Sequence, residues 1–116
     1  MSAAHLPFAE AMAFQLMARL HDYELGVAQL MLAPLDAELY RRSSDDMDAM
    51  RLLATDVPMA SVAWAEVMIR HFELMHGLWR VQRAPSGGLV LAPLHANLGQ
   101  AVRRLSHRCL QLVAAP

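Results

Sequence analysis

Lysine is missing from this 116-residue chain, threonine and isoleucine occur once each, and Cys109 is the single cysteine. Each scarcity closes a possibility. One cysteine forms no internal disulfide, which fits a reducing compartment and excludes a disulfide-framed secreted miniprotein. One isoleucine, one threonine and eight valines stand against 20 alanines, 19 leucines and nine methionines, so helix formers outnumber β-branched residues about fivefold and a β-sandwich or barrel is excluded. An excess of one charge is lacking too: ten arginines face eleven acids, and a net charge of −1 gives no overall field for nucleic acid or an anionic membrane. The start of the chain carries no basic segment, and the apolar stretch after Pro7 is interrupted by Gln15, Arg19, Asp22 and Glu24, so neither a signal peptide nor a membrane span is expected. The lysine-free composition points to a GC-rich bacterial genome, and the expected compartment is the cytoplasm.

What remains is 56% hydrophobic. A chain of this length forms one domain and removes roughly two-thirds of its extended surface from water, enough for a core without metal or disulfide staples. The expected architecture is all-α: a single helical domain over residues 1–116 with four principal helices and repeat-like halves at about 8–55 and 58–114. Pro7 suits the first turn of a helix over 8–32, and Ala33-Pro34 marks a turn. Residues 35–55 form a second helix with a break at Ser43-Ser44, where Ser44 caps a new turn and Asp45, Asp46 and Asp48 suit its positive end. Thr55 or Asp56 caps a third, with Pro58 in its first turn, running to Arg83. Pro85-Ser86-Gly87-Gly88 is a loop, and the last helix covers about 90–114, bent or restarted at Pro93.

Three blocks recur in order. Leu32-Ala-Pro-Leu-Asp-Ala-Glu-Leu39 returns as Leu91-Ala-Pro-Leu-His-Ala-Asn-Leu98, Phe14-Gln-Leu-Met-Ala-Arg-Leu20 as Phe72-Glu-Leu-Met-His-Gly-Leu78, and Ala9-Glu-Ala-Met12 as Ala65-Glu-Val-Met68. They imply two duplicated αα-hairpins with turns at Ala33-Pro34 and Ala92-Pro93.

At 100° per residue, Glu66, Arg70, Glu73, Gly77 and Arg80 form one narrow polar row on the third helix. Trp64, Val67, Met68, Ile69, Phe72, Leu74, Met75, Leu78, Trp79 and Val81 cover about 200°, where the stripe of a surface helix needs little more than ~100°. The first helix sets Met12, Leu16, Leu20, Tyr23, Val27 and Leu30 opposite Gln15, Arg19, Asp22, Gly26 and Gln29. Such a surplus is either the flank of central helices or a patch that a partner covers. Met68, Ile69, Phe72, Met75, Trp79, Met12 and Leu16 are therefore the expected dimer or partner interface, methionine being adaptable at binding surfaces.

Chemistry-bearing constellations are sparse. Glu73-x-x-His76 is half of a di-metal carboxylate motif, because residues three apart share a helix face. Gln15 and Ala18 occupy the equivalent places of the first repeat, leaving His21-x-x-Glu24 as alternative ligands. A solvated polar edge is the commoner meaning of such residues, and no metal or other cofactor is expected. His71 falls inside the apolar arc and reads as a buried histidine with a hydrogen-bonded ring nitrogen, or as an interface residue. Cys109 shares the row Leu98, Val102, Leu105 and Leu112 and reads as core. No serine has a base at informative spacing, and no Lys-Ser/Thr follows the Gly-Gly pair, so an enzyme is not expected. Arg103, Arg104, His107 and Arg108 make one positive face. Three arginines without a helix-turn-helix signature argue against nucleic acid.

In size, helical pattern and lysine-free composition the chain resembles the small anti-activators of bacterial quorum sensing. That resemblance implies an all-helical homodimer that sequesters a LuxR-type transcriptional regulator. It is also similar in character to type III secretion chaperones, which are usually acidic. The function expected is regulation by protein–protein contact through an apolar helix face, with a metal-binding helical bundle and a secretion chaperone as alternatives.

Overall fold

The structure, a computed structural model, describes residues 5–83 and 91–114. Four helices account for nearly all of them: α1 (His5–Leu32), α2 (Ala37–Thr55), α3 (Ser61–Arg83) and α4 (Leu91–Ala114), with a 3₁₀ turn at Pro58–Ala60 leading into α3. The described residues hold no strand, and the chain is an all-α four-helix bundle.

A heptad explains the packing. Buried positions step by three and four along α1 (Ala13, Leu16, Leu20, Tyr23, Val27, Leu30) and along α3 (Trp64, Val67, His71, Leu74, Leu78). The same stepping runs through Ser43, Met47, Met50 and Ala54 on α2 and through Leu98, Val102, Leu105 and Cys109 on α4. That 3.5-residue period keeps one seam of each helix turned inward and gives antiparallel neighbours a slight left-handed wrap. α1 lies between α2 and α4, α3 packs on α4, and α2 meets α3 sparsely, so α1 and α3 are diagonal. Long helices make the molecule elongated, 56 × 24 × 17 Å.

Local chemistry sets the corners. Asp36 caps α2, accepting from the Glu38 and Leu39 amides at 3.0 and 3.3 Å, which satisfies two donors the helix leaves free. Gln82 ties the end of α3 to this corner, donating to the Pro34 carbonyl at 2.6 Å and the Tyr40 hydroxyl at 2.9 Å. At the opposite end Arg108 donates to the Met59 carbonyl at 3.2 Å, and Val57 buries the linker in the core.

Three expectations about boundaries are corrected. α2 runs unbroken through Ser43-Ser44, because Ser43 occupies an inward heptad position. The aspartates expected at a new helix start pair instead with arginines: Asp45 with Arg41, Asp46 with Arg19 and Asp48 with Arg51. Asp56 is the C-cap of α2, and Pro58 opens the 3₁₀ turn. Ala92-Pro93 is no turn; it lies in the first turn of α4, where a proline's missing N–H removes no helical bond. The expected Pro85–Gly88 loop falls outside the described residues. The Leu-Ala-Pro-Leu octapeptide therefore spans a turn in one half and an unbroken helix in the other, and does not mark equivalent places. The Phe14–Leu20 and Phe72–Leu78 blocks do share a register: both phenylalanines face out and Leu16, Leu20, Leu74 and Leu78 face in, which the heptad alone accounts for.

Candidate interaction surface

The bundle takes up one side of the wide apolar arc of α3 and leaves the other bare. Trp64, Val67, Leu74 and Leu78 enter the core, whereas Val62, Ile69, Phe72 and Trp79 are 82%, 56%, 65% and 51% exposed. Together with Ala65 and His76 they form one stripe running about 25 Å along the helix at 1.5 Å per residue. Met68 and Met75 are half-buried on its α2 side, packed against the core. Trp79 is held by its neighbours: the His76 ring stacks on it at 6.0 Å and 19°, and the Arg83 guanidinium sits 4.8 Å over its face.

The polar row Glu66, Arg70, Glu73 and Arg80 borders the stripe on its α4 side. Arg70 donates to Glu73 at 3.0 Å, and Arg104 of α4 pairs with Glu66. Between them and the stripe lies an open groove of about 570 Å³ lined by Val62, Ala65, Glu66, Ile69, Arg70 and Arg104. Gly77 of the same row lets α4 approach; a Cβ there would sit 2.7 Å from Leu94 Cδ1.

The expected interface set divides accordingly. Ile69, Phe72 and Trp79 lie outside, Met68, Met75 and Met12 are half-buried, and Leu16 is fully buried in the core. Leu16 is thus a packing residue, because it points along the seam of α1 and not away from the bundle. A second exposed row was not anticipated: Phe14, Leu25 and Leu32 of α1 are 61%, 52% and 88% exposed. Their 11- and 7-residue spacings put them on one face with Ala18 and His21, a signal present in the sequence but overshadowed by the stronger inward seam. Since α1 and α3 are diagonal, the two rows look out from opposite sides of the molecule.

The remaining candidates do not converge. Glu73 and His76 face outward on α3, His21 and Glu24 face outward on α1, and among the described residues no three His, Cys, Asp or Glu side chains gather to hold an ion. His71 is buried as its place on the wheel implies, and its Nδ1 lies 2.7 Å from the Tyr23 hydroxyl across the diagonal of the bundle. Burial drives the imidazole down to about 4 and, with Asp46 and Glu24 nearby, pushes the phenol up. Both groups are therefore neutral at pH 7 and share one hydrogen bond between the hydroxyl and Nδ1. Cys109 is fully buried, and that burial raises its thiol to about 11. On α4, Arg104 and Arg108 are occupied within the chain, the latter by Met59 and Gln111. A second open groove, about 530 Å³ between α1 and α2, is lined by Arg19, Asp22, Arg42, Asp45 and Asp46, where the Arg19–Asp46 pair stands at 3.5 Å. No described helix is long and apolar enough to cross a membrane. Comparison with protein-family models, with curated proteins and with solved structures gives no match.

Proposed function

We propose that this chain is a small cytoplasmic regulatory protein that works by protein–protein contact through the outward face of α3, in the role of an anti-activator of a transcriptional regulator. The observation that carries this reading is the bare stripe of Val62, Ile69, Phe72 and Trp79. Scattered exposed leucines are ordinary on any surface, but a contiguous row with two aromatics is the composition of a binding face. Aromatic anchors of this kind dominate binding energies while rim charges contribute little. A sequestering protein needs no catalytic group; it needs an accessible face. The resemblance in size and helical pattern to anti-activators supplies the type of partner, a LuxR-type regulator.

The experiment is a reporter driven by a LuxR-type regulator, with and without this protein expressed in the same cells. Repression by the natural chain and its loss in Phe72→Asp, with helix content unchanged by circular dichroism, is the expected result. Repression that persists undiminished in folded Phe72→Asp and Trp79→Asp proteins would remove the α3 face from the reading. Absence of repression by the natural chain would remove the anti-activator role.

A further inference from the structure

We infer that the outward face of α3 takes one amphipathic helix of a partner protein, lying antiparallel to α3 with an acidic first turn set against Arg80 and Arg83. The inference rests on the reading of α3 as a protein-binding face and names the chemistry of what covers it. Its basis is a segregation of charge that the net value of −1 conceals. All eleven acids lie at or before Glu73, together with five of the arginines. The 43 residues after Glu73 hold the other five arginines and no acid, so the two parts carry −6 and +5.

On α3 this division becomes a gradient. In the N-terminal half the charges are closed within the chain, Glu66 by Arg104 and Glu73 by Arg70. At the C-terminal end Arg80 and Arg83 are exposed and pair with no carboxylate among the described residues. The residues outside those contain no Asp or Glu, so neither guanidinium has an acidic side chain of this chain as its partner. At 100° per residue the stripe from Val62 to Trp79 is about 100° wide, the width that one helix turns toward another. Arg80 and Arg83 fall in the same arc, so the row is apolar for about four turns and cationic in its last. From their fractional exposures, Val62, Ile69, Phe72 and Trp79 leave roughly 500 Å² uncovered, at ~150–250 Å² per large side chain. That is a strip for a helix laid along it.

Orientation follows from the cationic end. The last turn of α3 is the negative end of its dipole, whereas the first turn of a helix is positive and favours Asp and Glu. An antiparallel partner therefore brings its acidic first turn to Arg80 and Arg83. Its apolar positions, three and four apart, then follow the stripe to the open groove of about 570 Å³ beside Val62 and Ile69. The Arg83 guanidinium already lies over the Trp79 ring at 4.8 Å, and stacking of that kind leaves its N–H edge to a carboxylate. Glu66 and Glu73 along the border disfavour a surface of phosphates over the length of the row.

Fluorescence anisotropy with the full chain and two labelled synthetic helices tests this. Both helices have about 18 residues with leucines three and four apart; one carries glutamates in its first turn and the other lysines there. The acidic helix should bind with a Kd on the order of 10 µM and the basic one about tenfold more weakly, as rim contacts changed from opposite to like charge do. Arg80→Glu/Arg83→Glu should reverse that preference, and Phe72→Asp should weaken both helices at least tenfold with circular dichroism unchanged. A nitroxide on the N-terminus of the acidic helix should quench Trp79 emission more than one on its C-terminus; the opposite order overturns the antiparallel placement. No binding of the acidic helix at about 100 µM, equal binding of the two, or a preference that the double variant leaves unchanged overturns the inference. So does a Phe72-dependent dimer in sedimentation equilibrium, or Phe72-dependent binding to phosphatidylglycerol vesicles, found without charge-selective binding of the helices. Charge-selective binding without repression of the reporter leaves the inference standing and removes the anti-activator role. Repression that is lost in Phe72→Asp, with no charge selectivity between the helices, does the reverse.

Discussion

His71→Gln should flatten the pH dependence of stability between pH 7 and 5. The neutral imidazole of His71 is enclosed by the bundle and hydrogen-bonded to Tyr23 at 2.7 Å, and burial lowers its folded-state value from 6.5 to about 4. Between those two values the unfolded chain binds a proton that the folded chain does not, so stability falls as the solution is acidified. The stabilisation from keeping the ring neutral is complete above pH 6.5 and gone below 4. At 1.36 kcal/mol per unit the full span is about 3 kcal/mol, of which about 2 kcal/mol is lost between pH 7 and 5. Glutamine at this position still offers an oxygen to the Tyr23 hydroxyl but does not titrate. Urea denaturation followed by circular dichroism at pH 7 and 5 measures the difference for both proteins. Taking the variant as reference at each pH cancels Asp46, whose carboxyl is raised by its own burial and acts with the opposite sign. Equal slopes for the natural chain and His71→Gln would refute the argument, and would mean that the ring reaches solvent or a carboxylate in the folded protein.

Three further outcomes follow from local geometry. Gly26 lies buried in the middle of α1, yet a Cβ there meets nothing within 4 Å, so Gly26→Ala should raise stability by about 1 kcal/mol in urea melts through reduced backbone entropy. Asp36→Ala removes the acceptor for the Glu38 and Leu39 amides and should lower stability by about 1 kcal/mol in the same melts. Cys109, buried with its thiol raised to about 11, should resist a chromogenic disulfide reagent at pH 8 in the native protein and react within seconds once denaturant is added.

Much of the bundle is legible in the sequence because its punctuation is strong and its periodicity regular. Pro34 and Pro58 bracket α2, α3 ends at Arg83 ahead of the Pro-Ser-Gly-Gly segment, and the inward seam of α1 follows from its apolar residues alone. The errors share a physical origin. A serine pair reads as a helix break unless one knows that Ser43 faces the core, and a proline reads as a turn unless one knows which residue starts the helix. On α3 the 200° arc showed that apolar surface was in surplus but not which side the core would take. The place of Met68 and Met75 on the half-buried α2 side, and of Ile69 on the outside, depended on where α4 approached Gly77. The burial of His71 could be read from the wheel; its partner could not, since Tyr23 lies across the diagonal and only tertiary packing brings the two together.

The sparse contact of α2 with α3 means that this helix is held mainly by α1, the Gln82 tie and the Val57 anchor. Its backbone amides should therefore exchange with deuterium through an opening smaller than global unfolding, ahead of those of α1 and α4. Such an excursion would bare Met47, Met50 and the flank of Tyr23 while leaving the outer face of α3 in place. The molecule would then have two rigidities: a slow three-helix body that presents the binding row, and a faster fourth element whose detachment sets the rate at which proteases first find the chain.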